Sequence, residues 1–560
     1  MLLGIDVGGT FTDAVLIDGD VICSMAKSET TPDILGGILL SLDRLFSAEK
    51  LDKEIIDAEK MRITRVVISS TIVTNALVEN KIDQVFLAVM AGPGMSTKGQ
   101  FPVEPYLATG YIDHRGKVIT AEAIDYDLVK KMATGKKVAA VSGKFSVRNQ
   151  INEKALRGDL KKCNFLKIFS GSELSGELNF IRRTNSAYFS AAVYTKYADF
   201  IRQIKKSLNE REINAPVHIL KADGGTLPLE ASLEQPVEAV FTGPAASVLG
   251  IEALKPPSVN TISLDVGGTT TDIAFWEKGQ PLMSPKGAVL AGFNTAVRAF
   301  HMRSLGLGGD SVIIRTKEGF VVGPERAGRA MALGGRAPTL SDAFITLGLV
   351  SFGEGRLARE AMKLYARGEE TEKQVAHAVV EAVVKKIKRT IDEMVYQWGI
   401  QPVYTVNDII AGNLFKPELL IGVGGAAPGL VKALGDYMHL PVEIPVGAMV
   451  ANAIGAALAK PTLTATLRAD TTENYYIIPE AGIKAKLPHY FNKQVAQELL
   501  TAWLQAAANK WQIIAPVAEI VAYEEFATIH DYISSGKIIY LKMQLQPGVL
   551  SHVIGREVAF

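Results

Sequence analysis

The chain has 560 residues, of which 48% are hydrophobic and 21% charged, and a formal net charge of +1. This length is too great for one core, so about two to four domains are expected, and the near-neutral charge argues against a general attraction to nucleic acid or to an anionic membrane. The two cysteines, Cys23 and Cys163, form no CxxC pair, which argues against a disulfide framework and against an iron–sulfur cluster. No signal-peptide core and no apolar run of membrane-spanning length is present, so a soluble cytoplasmic protein is expected.

The first predicted element is a glycine hairpin at the N-terminus. The octapeptide Asp6-Val-Gly-Gly-Thr-Phe-Thr-Asp13 lies between two short apolar runs, which is typical of strand, tight turn and strand. Paired glycines let the backbone approach a ligand, and successive N–H groups can hold an anion. The carboxylate of Asp6 suits a hydrated Mg²⁺, and threonine hydroxyls suit phosphate oxygens. The residues expected to contact phosphate here are Gly8, Gly9, Thr10 and Thr12.

A predicted helix over residues 32–46 and a predicted strand over 66–70 follow the hairpin. The segment 71–81 then begins a helix with hydroxyl and amide side chains at its N-terminus, where free N–H groups can meet an anionic or carbonyl ligand. Thr71, Thr74 and Asn75 are therefore candidates for contact with a substrate. The alternative is that Ser70 or Thr71 only caps this helix.

Strands over 85–90, 138–142, 166–170 and 217–221, with a long helix over 185–208, continue an α/β alternation. The last of these strands ends just before Asp223-Gly224-Gly225. In open α/β sheets, ligands bind beyond the carboxyl ends of strands, so Asp223 is a candidate third carboxylate at the reaction centre. The alternative is that Asp223 caps a turn.

The octapeptide then recurs as Asp265-Val-Gly-Gly-Thr-Thr-Thr-Asp272, with seven of its eight residues identical to the first copy. One copy alone would be weak evidence, whereas two copies predict a pair of hairpins that grip a nucleotide triphosphate from both sides. Asp265 is the counterpart of Asp6 as a candidate metal-facing carboxylate. The candidate phosphate contacts of this copy are Gly267, Gly268, Thr269 and Thr270.

Small residues dominate two further segments, 242–250 before the second hairpin and 446–459 near the end of the repeat region. They predict two helices that cross closely at a hinge, and two small-residue core helices are the alternative. Between them, residues 419–428 read as a strand that runs into a glycine turn. Gly424, Gly425 and Ala426 have little bulk, so an adenosine moiety can rest on their backbone.

After Pro461 the pattern changes to short polar strands, one helix over 493–511, and a β-like ending over 538–545 and 549–560. Residues 461–560 are therefore predicted to form a separate small α+β domain. No functional motif is recognisable in it.

The duplicated hairpin resembles that of the superfamily of sugar kinases, actin and the large heat-shock chaperones. Within it, residues 1–460 resemble the ATP-binding A-type subunit of the hydantoinase/oxoprolinase family. The segment 70–77 is similar to the family's GTT-x-x-TNAL stretch, and 306–311 is similar to its GAGGGS loop. The chain departs from the pattern at His301 and Arg303, where the family usually has an Asp-x-His pair, and it lacks the PGPACYG segment after residue 328.

The resemblance implies an α/β fold with two actin-like (ribonuclease H-like) lobes around a nucleotide cleft. Lobe I is expected over residues 1–255, with 447–460 returning to it, lobe II over 256–446, and the C-terminal α+β domain over 461–560. The resemblance also implies ATP and Mg²⁺ between the two hairpins, with Asp6 and Asp265 on the water shell of the metal.

The activity that the resemblance implies is ATP-driven activation of a lactam, hydantoin or related carbonyl by phosphoryl transfer, together with a B-type partner subunit. Two alternatives remain: a small-molecule kinase, and an actin-like ATPase that activates or remodels a partner protein. The sequence identifies neither the substrate nor the oligomeric state, and a homo-oligomer is one option.

Overall fold

The computed structural model describes residues 1–30, 34–46, 62–400, 415–511, 513, 516–530 and 533–554. No helix within these ranges is both long and apolar enough to cross a membrane. The chain forms three consecutive segments.

The first segment extends to residue 254 and alternates strands with helices. Its strands are β1 (Leu2–Val7), β2 (Phe11–Asp18), β3 (Val21–Glu29), β4 (Arg65–Ser70), β5 (Val85–Met90), β6 (Tyr106–Leu107), β7 (Thr109–Ile112), β8 (Val118–Ala123), β9 (Val138–Gly143), β10 (Lys167–Ser170), β11 (Val217–Leu220) and β12 (Thr226–Pro228). Its helices are α1 (Ile34–Phe46), α2 (Ile72–Val78), α3 (Tyr126–Ala133), α4 (Ile151–Leu160), α5 (Gly171–Leu174), α6 (Phe180–Glu210), α7 (Leu229–Ser232) and α8 (Thr242–Leu254).

The main sheet of this segment has the order β12-β11-β4-β1-β2-β3. Strand β1 pairs antiparallel with β2 in the first hairpin and parallel with β4, and β4 pairs parallel with β11. The central strands are buried on both faces, which is why they read as nearly continuous apolar runs. A second sheet, in the order β10-β9-β5-β6, packs on the 31-residue helix α6.

The second segment, from residue 255 to 458, repeats this plan. Its strands are β13 (Thr261–Val266), β14 (Thr271–Glu277), β15 (Gln280–Pro281), β16 (Val289–Leu290), β17 (Phe293–Asn294), β18 (Met302–Leu305), β19 (Ser311–Arg315), β20 (Phe320–Arg326), β21 (Leu419–Val423) and β22 (Val442–Glu443). Its helices are α9 (Leu340–Thr346), α10 (Gly355–Lys363), α11 (Glu372–Gly399), α12 (Ala427–Met438) and α13 (Ala451–Leu458).

The two main sheets have equivalent centres. In the second, β13 pairs antiparallel with β14 and parallel with β21, as β1 does with β2 and β4. Asp6 lies opposite Asp13 in the first hairpin, and Asp265 lies opposite Asp272 in the second. This duplicated topology is that of two actin-like (ribonuclease H-like) lobes, so the predicted fold class is confirmed.

The third segment is a small domain whose five-stranded antiparallel sheet has the order β25-β24-β23-β27-β26. One helix covers it, with Ala496, Leu500 and Leu504 buried against the sheet. The elements are β23 (Thr464–Asp470), β24 (Tyr475–Ile478), β25 (Ile483–Lys486), α14 (Lys493–Lys510), β26 (Ala518–His530) and β27 (Ile533–Leu545).

The predicted β-like ending over 549–560 is wrong for residues 549–554, the part of it that the structure describes. Residues 549–554 make only isolated bridges, and 555–560 lie outside the described residues. The reason is that this stretch leaves the sheet and lies on the first segment, where Val553 N donates to Ala253 O at 3.0 Å and Ile554 N donates to Asp20 O at 3.1 Å.

Helices α8 and α13, which contain the two small-residue segments, pack directly against each other. A Cβ placed on Gly455 would overlap the carbonyl oxygen of Ala246, and one on Gly250 would overlap that of Ala451. Glycine at these positions therefore lets the two backbones touch. The same helix α13 lies over β1, where a Cβ on Gly4 would lie 2.8 Å from the backbone nitrogen of Ala457.

We expect Gly455→Ala to destabilise the protein by about 1–3 kcal/mol, because the added methyl meets backbone that cannot rotate away. Gly158→Ala in α4 is the matched control, since a Cβ there meets nothing within 4 Å. In the interior of a helix this control should be neutral or stabilising by up to about 1 kcal/mol. Urea unfolding of the two variants measures the difference, and equal stabilities would show that the helices do not touch in solution.

Candidate functional site

The two glycine hairpins face each other across a cavity of about 520 Å³. A Cβ placed on Gly268 would lie 3.3 Å from the side chain of Thr10, so the two turns nearly meet. Further walls come from the loop after β18, from the turn after β21, and from the residues that lead into α13. A volume of this size suits a ligand as large as a nucleotide.

Thirteen of the residues predicted from sequence line this cavity together. They come from both hairpins, from the start of α2 and from the turn after β21: Asp6, Gly8, Gly9, Thr10, Thr71, Asp265, Gly267, Gly268, Thr269, Thr270, Gly424, Gly425 and Ala426. The fold thus brings the two octapeptides and the later glycine turn to one place, although they are far apart in sequence.

Five carboxylates line the cavity: two come from each hairpin, and the fifth, Asp310, is paired with Arg326 at 3.1 Å. Burial, with smaller contributions from neighbouring carboxylates, raises the pKa of Asp6 and of Asp265 to about 7 and that of Asp272 to about 6. Burial also raises the pKa of Asp13, although the ammonium group of Lys27 lies 2.8 Å away and opposes the rise. The cavity therefore concentrates negative charge that the protein only partly compensates.

Two of these carboxylates have an oxygen without a hydrogen-bond partner. Oδ1 of Asp6 and Oδ1 of Asp272 are buried and accept no hydrogen bond from the described residues. Oδ2 of Asp265 accepts one hydrogen bond, from Nδ2 of Asn452 at 3.0 Å. Buried acceptors that lack a donor are costly, so the arrangement fits a cation or its bound water.

Hydrogen-bond donors without partners lie at the turns themselves. The backbone N–H groups of Gly9, Thr10, Gly268 and Thr269 donate to no other described residue. The hydroxyl of Thr10 is buried and also lacks a partner among the described residues. Unpaired N–H groups on two facing turns make a concave anion site, as phosphate oxygens require.

The third wall is the turn after β21. Gly424 adopts φ +91°, and a Cβ there would lie 2.5 Å from the carbonyl oxygen of Val266, so only glycine fits. A Cβ on Gly425 would meet nothing within 4 Å, so this glycine leaves open space on the side of the cavity. The apolar side chains of Leu333 and Phe352 line the same cavity.

Several lining residues were not predicted. The glycine loop 306–311 was noted in the sequence without a site role, yet Asp310 N donates to Gly268 O at 2.7 Å and fixes the second turn. Asn452 is a lone amide inside a run of small apolar residues, and that exception was a usable signal. Arg329 and Lys27 carried no signal, because single basic residues in polar stretches are common.

Arg329 forms an ion pair with Glu29, at the end of β3. Arg329 belongs to the second segment and Glu29 to the first, so the pair connects the two segments. Arg329 also lines the cavity. The ion pair therefore joins the two lobes beside the candidate ligand site.

Four predicted residues lie outside this cavity lining, and three of them, Thr12, Thr74 and Asn75, make structural hydrogen bonds. The hydroxyl of Thr12 is 3.1 Å from that of Thr30, and Thr74 Oγ1 accepts a hydrogen bond from Phe241 N at 3.0 Å. Asn75 Nδ2 donates to Thr71 Oγ1 at 3.2 Å. At the helix start, Ser70 Oγ accepts from Ile72 N at 3.2 Å, so part of the capping alternative is observed. Contact of Thr12, Thr74 or Asn75 with a ligand stays a prediction.

Asp223 does not lie beside Asp6 and Asp265. It lines a second cavity, where it pairs with Lys221 at 3.1 Å. Strand β11 is two strands from β1, and strands lie about 4.8 Å apart, so the end of β11 is about 10 Å from Asp6. Thr242, at the start of α8, lies between them and donates to Ser70 O at 2.8 Å. A shared reaction centre with Asp223 stays a prediction.

The two residues that depart from the family pattern pack against α11. The ring of His301 lies 5.0 Å from that of Trp398, and burial lowers the pKa of His301 to about 4. Arg303 donates to Glu393 at 2.8 Å and to Gln397 at 3.1 Å. Neither side chain lines the cavity between the hairpins.

Comparison with known families finds two matches that together span most of the chain. Residues 183–465 match the hydantoinase/oxoprolinase model, and residues 2–163 match the hydantoinase/oxoprolinase N-terminal region. The resemblance seen in the two octapeptides is therefore confirmed.

Among curated proteins, the chain is similar to the caprolactamase subunit alpha of Pseudomonas jessenii. The two are 24% identical over 494 residues, which are 79% of this chain and 68% of the relative.

Two solved structures are similar over nearly the whole chain. ATP-dependent caprolactamase from Pseudomonas jessenii has a TM-score of 0.69 at 19% identity, covering 100% of this chain and 89% of that one. Acetone carboxylase in its nucleotide-free form has a TM-score of 0.70 at 17% identity, covering 98% and 87% respectively. At these identities the similarity shows a shared fold.

We expect the ligand-free protein to lose stability as pH rises from about 4 to about 6, because the folded state raises the pKa of Asp272 to about 6 and so binds protons that the unfolded chain has released. Asp272→Asn removes this charge. The variant should match the parent near pH 4 and exceed it by about 3 kcal/mol near pH 8.

Chemical unfolding at the two pH values measures this effect. Asp436→Asn, at an exposed position of α12, is the control and should change stability at neither pH. A stability difference for Asp272→Asn that is the same at both pH values would contradict a buried, proton-linked carboxylate.

Proposed function

The chain belongs to the hydantoinase/oxoprolinase family, and from that premise we propose that it is an ATP-dependent enzyme that activates a lactam, hydantoin or related carbonyl by phosphoryl transfer. The observation that carries the proposal is the pair of facing hairpins, with unpaired N–H donors on the turns and unpaired carboxylate oxygens beside them. Donors for an anion and acceptors for a cation in one cavity suit a metal-bound polyphosphate.

The cavity also suits the rest of a nucleotide. The turn at Gly424, Gly425 and Ala426 provides a wall without side-chain bulk for the adenosine moiety, and Phe352 offers an aromatic face. The triphosphate would extend from there between Gly8–Thr10 and Gly267–Thr269. The caprolactamase that shares this fold is ATP-dependent.

Asp6 and Asp265 are the residues that would hold Mg²⁺, through its water shell. No three His, Cys, Asp or Glu side chains group closely enough to hold a metal alone within the described ranges. Two carboxylates, Asp6 and Asp265, fit Mg²⁺, which keeps several waters and takes one or two carboxylates together with phosphate oxygens. The ion would neutralise charge on the phosphates during transfer.

In the proposed reaction, the carbonyl oxygen of the substrate attacks the γ-phosphorus of ATP, and ADP leaves. For a lactam, O-phosphorylation with loss of the N–H proton activates the ring carbon, water adds there, and the C–N bond breaks as the nitrogen takes up a proton. A second water then hydrolyses the remaining acyl phosphate to a carboxylate and inorganic phosphate. The chain's own contribution is positioning and charge stabilisation, from the two turns and from the hydroxyl of Thr10. Thr71 lines the same cavity and is the best-placed of the predicted substrate contacts.

We also propose that a B-type partner subunit completes the reaction. The curated relative is itself named as the alpha subunit of caprolactamase, so it belongs to a larger assembly. The phosphorylated intermediate would then be consumed in that partner.

The proposal is tested by an ATPase assay over a panel of lactams, hydantoins and ketones, with and without a co-encoded partner. We expect one class to stimulate turnover severalfold and to yield inorganic phosphate. A stable phosphorylated product would support the kinase alternative. Turnover that responds to a protein and to no small molecule would support the ATPase that remodels a partner.

We expect Asp6→Asn and Asp265→Asn each to lower ATP turnover about a hundredfold, because each removes a charge that faces the metal. Both variants should fold at least as well as the parent, since burial disfavours the ionised carboxylate they lose. Asp436→Asn, on the exposed surface of α12, is the control and should turn over ATP normally. Parental activity in both cleft variants would refute the assignment.

A further inference from the structure

A second cavity, of about 470 Å³, lies between the first segment, the loop of the second segment that carries Ala296 and Arg298, and the C-terminal domain. The first cavity has more acidic than basic lining residues, whereas this one has equal numbers of the two. Four acidic and four basic residues contribute: Glu173, Asp223, Glu238 and Glu480, with Lys221, Arg298, Lys510 and Lys542. Trp503 and Trp511 of the C-terminal domain add an aromatic wall.

The central ion pair of this cavity is satisfied. Lys221 and Asp223 are 6% and 2% exposed and lie 3.1 Å apart. Asp223 also accepts hydrogen bonds from Gly225 N at 2.9 Å and from Thr462 Oγ1 at 3.5 Å. This pair therefore needs no ligand to compensate it.

Three more lining charges, on Glu173, Lys542 and Glu480, already have partners. Two of them pair with residues outside the cavity and one accepts from backbone N–H groups, so they have few hydrogen bonds left to offer a ligand. The pairs are Glu173 with Arg157 at 2.6 Å, Lys542 with Glu177 at 2.6 Å, and Glu480 with the N–H groups of Gly176 at 2.9 Å and Thr466 at 3.2 Å.

Two opposite charges remain without adequate partners. Arg298 makes no hydrogen bond and no ion pair within 4 Å with any residue that the structure describes, and its Nη1 is buried, although its charge acts on Asp223 and Glu238 from a longer distance. The carboxylate of Glu238 accepts no hydrogen bond from the described residues. Its one ion-pair contact is Lys221 at 3.8 Å, which already serves Asp223. The remaining lining charge, Lys510, is on an exposed residue.

A guanidinium with a buried Nη1 and a half-buried carboxylate, both lacking hydrogen bonds, are costly unless something in the cavity pairs with them. A simple anion would satisfy Arg298 and leave Glu238 unpaired, and a simple cation would do the reverse. A ligand that carries both charges satisfies both groups and keeps the net charge of the lining at zero.

We propose that this cavity binds a small zwitterionic amino acid, with its carboxylate on Arg298, its ammonium on Glu238 and its carbon chain against Trp503 and Trp511. The site is separate from the cavity between the hairpins and does not depend on the proposed function. It joins the first segment to the C-terminal domain, so occupancy would stabilise that junction.

Isothermal titration calorimetry tests the proposal, with glycine, leucine and 4-aminobutyrate as zwitterions and with butyrate and butylamine as single-charge analogues. We expect at least one zwitterion to bind saturably, and the single-charge analogues to bind at least tenfold more weakly. Arg298→Met and Glu238→Gln should each weaken that zwitterion at least tenfold. ATP titration in the same variants should stay at the parental affinity, because the hairpins are untouched.

Arg303→Met is the matched control, since Arg303 pairs with Glu393 away from this cavity, and it should bind the zwitterion as the parent does. A thermal melt of each variant shows that it is folded. The proposal is overturned if none of the three zwitterions binds saturably, if butyrate or butylamine binds as tightly as the zwitterion, or if a folded Arg298→Met variant binds normally.

Discussion

The interaction on which this molecule depends is the close approach of two identical glycine turns that carry carboxylates at their bases. Gly268 and Thr10 nearly touch, and the four aspartates of the two hairpins line one cavity. Without a cation this arrangement is unfavourable, since burial and mutual repulsion push the pKa values of Asp6 and Asp265 to about 7. Such strain at one place, in an otherwise well-packed α/β protein, is typical of a site built for a ligand.

The packing of the rest of the chain holds the turns in that position. Helix α13 lies over β1 and crosses α8, and glycines at both crossings let the backbones touch. Asn452 on α13 reaches Asp265, so the same helix that supports the first sheet also contacts the second hairpin. Together with the ion pair between Arg329 and Glu29, this contact makes the spacing of the two turns sensitive to the relative position of the lobes. A ligand that bridges the turns would stabilise one such position.

The sequence predicted the fold class and the convergence of both hairpins with the later glycine turn, because repeated motifs and strand periodicity are local signals. It did not predict that Asp223 would face another cavity. The carboxyl ends of β1, β4 and β11 lie at one edge of the sheet, but the start of α8 lies over β4 and separates Asp223 from Asp6. No local sequence pattern reveals where that helix packs. The predicted β-like ending over 549–560 fails at Val549 and Val553, which pack in the cluster around α8 and α13 and not in a sheet. The unpaired state of Arg298 and Glu238 likewise depends on residues from three distant parts of the chain.

The central claim is that a nucleotide triphosphate lies between the two turns with a cation beside Asp6 and Asp265. The most direct measurement is a crystal structure of the protein with Mg²⁺ and a non-hydrolysable ATP analogue. We expect density for the phosphates in contact with the N–H groups of Gly9 and Thr10 on one turn and of Gly268 and Thr269 on the other, and the adenosine on the turn at Gly424 and Gly425. Phosphate density on one hairpin alone, or at another place on the molecule, would contradict this account.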